Sequence, residues 1–169
     1  LAMLCAFACN LTIMQSRVLI TGLGFVTSIG NDKTEVLSSL QAQRHGIERV
    51  TWFDNPAVPV KVLGTLKAFD CPGQDYEDWT YPDRYSIARE TLRSMSPGVL
   101  YAHCATLQAV EDAGLEAAAI SDPRTGLLTA SAGSPGIMCE YLRQMRAVKG
   151  RRTHPMAVVL SLIHISEPT

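Results

Sequence analysis

The stretch that most limits what this chain can fold into lies near its start. A run of β-branched and aliphatic residues, RVLITG from Arg17 to Gly22, leads directly into the turn-rich LGFVTSIGND. Asp32 followed three residues later by Glu35 forms a capping-box pattern, and the helix it opens carries Val36, Leu37 and Leu40 on one face. Strand, loop and helix in that order predict an α/β unit, because each element must bury its apolar side against another.

The rest of the chain extends that pattern. From Gly46 to Pro82 no helical period is sustained, so an irregular surface excursion is expected there, with a strand around VKVLGTL. Ser96-Pro97 then opens the best-defined helix, with Leu100, His103, Leu107 and Val110 as its apolar stripe and Gly114-Leu115 as its left-handed stop. After Asp122-Pro123 the run TGLLTAS reads as a buried strand. Ser134-Pro135 opens a further helix that turns Ile137, Met138, Tyr141, Leu142 and Met145 inward and Arg143 and Arg146 outward, ending near Gly150. With 47% hydrophobic and 18% charged residues, the chain has the apolar content for a globular core.

Several kinds of chemistry find little support. A formal net charge of -1 supplies no basic field for nucleic acid or an anionic membrane. Cysteines at 5, 9, 71, 104 and 139 contain no C-x-x-C pair and read as reduced thiols of a cytoplasmic protein. Gly22, Gly24 and Gly30 follow a strand, but a dinucleotide fingerprint needs glycine where Thr27 stands, so close backbone packing is the simpler reading. His45, His103, His154 and His164 have no ligand-spaced partner, and no metal site is expected. His103 is expected in the core, Cys104 as a buried inert thiol and Cys139 as structural. ASAGSPG is half a hydrolase elbow, since Thr129 stands where G-x-S-x-G has its first glycine. Its small residues fit close approach to another chain or to an acyl group.

Both ends look foreign. Residues 1–13 lack a basic n-region and are too short to span a bilayer, so they read as a non-native leader before Met14. SLIHISEPT resembles translated adapter sequence, and 160–169 reads as a non-native tail, leaving 14–159 as the domain.

Three stretches resemble one family. RVLITGLGFVTSIGNDKTEVLSSLQAQRHGI, residues 17–47, looks like the opening of β-ketoacyl-[acyl carrier protein] synthases. LRSMSPGVLYAHCATLQAVEDAGL resembles the family's R-x-M-S…A-x-x-D-A-G-L helix, with Pro97 where an acidic residue is usual. DPRTGLLTASAGSPG is similar to its R-x-G-x-x-x-G-S-G-x-G strand and loop, with Ala130 and Ala132 replacing glycines. The resemblance implies the first part of a thiolase-like layered α/β/α/β/α fold, usually a homodimer. It implies decarboxylative condensation of acyl and malonyl thioesters carried on acyl carrier protein, with no cofactor. The family's cysteine nucleophile and two histidines fall beyond these three blocks, so no catalytic residue is assigned. Gly133 alone carries over, as part of the loop lining the acyl pocket. A chain-length-factor-like partner lacking the nucleophile, a non-catalytic acyl or carrier-protein binding module, and an outlying nucleotide-binding oxidoreductase are the competing readings.

Overall fold

In the computed structural model, residues 2–3, 17–50, 57, 59–73, 75–130 and 135–149 are described. Their longest element is helix α3, Pro97–Asp112. Its ends are those expected: Ser96 is extended, Pro97 occupies the first helical turn where a missing N–H is harmless, and Gly114 takes φ +62° just past the end. There the Leu115 N–H reaches back to the Val110 carbonyl at 3.1 Å and the Gly114 N–H to Glu111 at 3.0 Å.

The face that α3 buries differs from the expected stripe. Leu100, Cys104, Ala105, Gln108 and Ala109 are buried, whereas Leu107 is 41% exposed and His103 and Val110 are half-buried. The cause lies in the first extended run. A Cβ added at Gly22 would lie 2.1 Å from the Ala109 carbonyl oxygen, and one at Gly24 would lie 1.9 Å from that of Ala105. Helix backbone therefore rests directly on chain backbone, which is possible only where one side is glycine and the other alanine. Turning the alanines inward carries Leu107 outward.

Asp112 fastens the same crossing. Its carboxylate accepts the Leu23 N–H at 3.0 Å and pairs with Lys33, which opens the helix that follows the glycine run. The Lys33 bond, then the Leu23 N–H, hold its pKa below the ordinary aspartate range. A depressed folded pKa means stability that is present above the unfolded value and lost as pH falls through the folded one. Asp112→Asn is therefore expected to lower the urea midpoint at pH 7, with the gap to wild type closing in acid below the usual aspartate pKa of about 3.9. An unchanged gap at low pH would show that the clasp acts without its charge.

Helix α1, Lys33–Gln41, starts as the capping pattern predicts: the Glu35 N–H donates to Asp32 at 2.8 Å, and the Glu35 side chain accepts the Asn31 N–H at 2.7 Å. Its buried residues are Val36 and Ser39, however, while Leu37 and Leu40 are 53% and 61% exposed. The Ser39 hydroxyl donates to the Ile29 carbonyl at 2.6 Å, and this bond holds that face of the helix toward the preceding loop.

The expected surface excursion is exposed or half-buried over most of its described residues, yet it also delivers Val50, Phe69 and Trp79 to the core. Strands β3, Ile47–Arg49, and β4, Val62–Gly64, pair antiparallel with Glu48 opposite Leu63, placing a strand where VKVLGTL suggested one. Beyond them the chain folds back onto α3. Phe69, Trp79 and Tyr85 are buried with Val26, Leu92, Leu100, Cys104 and Ala105. Phe69 meets Tyr101 edge-on at 5.3 Å, Trp79 donates its indole N–H to Gly73 at 2.9 Å, and paired backbone bonds join Asp70 to Thr80. Aromatic burial compensates for the missing period, so irregular backbone here does not mean surface. A 3-10 turn, Tyr76–Asp78, and the short helix α2, Arg89–Leu92, complete this lobe.

The two expected strands at the ends of the pattern lack ladders among the described residues. Strand β2 is only Phe25–Val26, paired antiparallel with β1, Ala2–Met3. Val18, Leu19 and Ile20 are 66%, 67% and 59% exposed, and Leu127 and Leu128 of TGLLTAS 54% and 73%. A strand is stabilised by its neighbours, and none of the described segments pairs with these runs. Short helix α4, Ala117–Ile120, precedes the second run, and α5, Pro135–Ala147, follows it, starting at the proline as expected.

Candidate functional site

The most organised polar cluster sits where α3 meets the loop after β2. Gln108 is buried with its amide set against Phe25 as a strand partner would be: its Oε1 accepts the Phe25 N–H at 3.0 Å and its Nε2 donates to the Phe25 carbonyl at 3.1 Å. The same Nε2 lies 2.8 Å from the Asn31 carbonyl and 2.6 Å from the Tyr85 hydroxyl. Arg84 closes the ring, donating to the Asn31 carbonyl and the Tyr85 hydroxyl at 2.9 and 2.6 Å, its guanidinium 4.7 Å from the Tyr85 ring centre. Asn31 Oδ1 is buried beside this network without a partner among the described residues. The cluster holds the turn-rich loop in one shape. Sequence reading passed over Gln108, although a glutamine four positions before Asp112 and beside the apolar stripe was the available signal.

Two of the described thiols, Cys71 and Cys104, sit where burial works against nucleophilic use. Cys104 is fully buried, and burial pushes its pKa up to about 11 despite the nearby Arg84 charge, so it is the inert thiol expected. Cys71 is half-buried and raised mainly by desolvation, with the Tyr101 hydroxyl hydrogen-bonded to it. Cys139, expected to be structural, is exposed on α5. A thiolate needs a helix N-terminus or a cation and open access, and neither Cys71 nor Cys104 combines them.

Other candidates scatter. His45 is exposed and His103 half-buried, so the core position expected for His103 goes to Cys104 beside it. Among the described residues no three His, Cys, Asp or Glu side chains cluster as metal ligands, and no helix is long and apolar enough to cross a membrane. Gly133, with Ser131, Ala132 and Ser134, lies outside the described residues, as do His154 and His164. The preceding Thr129 is half-buried and Ala130 exposed. At Gly22 and Gly24 the close neighbour is the backbone of α3, the close packing expected of these glycines.

Comparison with known proteins accounts for this distribution. Residues 15–161 match the family described as "Beta-ketoacyl synthase, N-terminal domain". The chain is 37% identical over 137 residues to 3-oxoacyl-[acyl-carrier-protein] synthase 1 of Haemophilus influenzae, covering 79% of this chain and 30% of that protein. Against the same-named enzyme of Escherichia coli it is 36% identical over 138 residues, 80% of this chain and 31% of the relative. Among solved structures, the ishigamide ketosynthase/chain length factor superposes with a TM-score of 0.56 at 22% identity, over 84% of this chain and 33% of that one. The chain thus spans about a third of the length of these proteins. The glycine run, the capped helix and α3 are elements of a partial, thiolase-like α/β fold, and the chain belongs to the β-ketoacyl synthase family, matching its N-terminal domain.

Proposed function

We propose that the whole protein catalyses decarboxylative Claisen condensation of an acyl thioester with malonyl-acyl carrier protein. The observation that carries this reading is identity of 36–37% across about four-fifths of the chain to proteins named 3-oxoacyl-[acyl-carrier-protein] synthase 1. In such a reaction a cysteine thiolate takes the acyl group and expels the thiol that carried it, the malonyl group loses carbon dioxide to leave an enolate, and the enolate carbon attacks the acyl-cysteine thioester, forming the carbon–carbon bond as the cysteine thiolate departs. The described residues between 17 and 130 contribute scaffold to that site, since burial disfavours the thiolate at both Cys71 and Cys104. The test is malonyl-carrier protein turnover by the whole protein and by the 169-residue chain separately. Product from the first and none from the second supports the reading; turnover by the chain alone overturns the assignment of the nucleophile elsewhere.

Within this reading Gly133 lines the acyl pocket, and the protein works in the cytoplasm as a homodimer. Similarity to the ishigamide ketosynthase/chain length factor favours a second reading, a partner that lacks the nucleophile and acts by heterodimerising. A cysteine at the nucleophile position of the whole protein decides for condensation, and a glutamine there decides for the partner. Acyl carrier protein is the proposed macromolecular substrate. Arg143 and Arg146 of α5 and Lys149 just past its end are exposed, a group of cations suited to an acidic protein surface. Reversing Arg146 and Lys149 to Glu in the whole protein is expected to raise KM for the carrier-bound substrate roughly tenfold, less at high salt, with kcat little changed. An unchanged KM at low salt places the carrier elsewhere.

A further inference from the structure

We draw no further inference here: the strongest candidate, the apolar surface formed by Val18, Leu19 and Ile20 of the first extended run and by Leu127 and Leu128 of the run before α5, carries none because nothing in the structure shows what covers it.

Discussion

Gly24→Ala is expected to cost roughly 3 kcal/mol or more, enough to leave a marginally stable domain largely unfolded. The added methyl would sit 1.9 Å from the Ala105 carbonyl oxygen and within 2.9 Å of the Ala109 nitrogen. Both are backbone atoms of α3, so no rotamer change relieves the overlap. The run must withdraw from the helix, and in doing so it pulls Phe25 away from Gln108 and Leu23 away from Asp112. Gly98 provides the control. It lies in the first turn of α3 with open space around its would-be Cβ, so Gly98→Ala should stabilise by up to about 1 kcal/mol through helix propensity. Urea midpoints of the two variants should therefore move in opposite directions. Equal midpoints for Gly24→Ala and wild type would show that α3 does not rest on the glycine run.

The second large effect is at Gln108. Gln108→Leu removes the partner of the Phe25 N–H and carbonyl and takes a donor from the Asn31 carbonyl and Tyr85 hydroxyl in a buried setting. At about 1–3 kcal/mol for each buried group left unpaired, a loss of roughly 3 kcal/mol is expected. Gln108→Glu distinguishes lost bonds from lost volume. A carboxylate would turn an oxygen toward the two carbonyls that now accept from Nε2, so burial and carbonyl repulsion should raise its folded pKa above the unfolded value of about 4.3. With the folded pKa raised, the protonated variant is relatively stable, and stability declines as pH rises from the unfolded toward the folded pKa. The Gln108→Glu deficit should thus widen between about pH 4 and neutrality, while the Gln108→Leu deficit stays flat there. Parallel pH curves for both variants would mean that Gln108 contributes only packing.

The ends of α1 and α3 were readable in the chain because capping is local: Asp32, Glu35, Pro97 and Gly114 act on backbone groups within a turn of themselves. The glycine spacing at 22 and 24 was readable too, as a demand for close approach, and rejecting a dinucleotide fingerprint needed only Thr27. Family membership was likewise carried by short motifs in sequence order. Which helix filled the space beside the glycines was not readable, because Ala105 and Ala109 are 81 and 87 positions away from Gly24 and Gly22 respectively, and only docking shows that small residues outrank Leu107 for the buried face. The same holds for Phe69, Trp79 and Tyr85: periodicity reports regular elements, and an aromatic cluster hung on irregular backbone has none to report. The runs 17–22 and 125–130 mark the opposite case. Their composition specifies strands, yet a strand's stability comes from neighbours across its edges, and composition within a segment cannot supply them. Local hydrogen bonding determined where helices begin and end; burial, a property of distant pairs, decided which faces they hide.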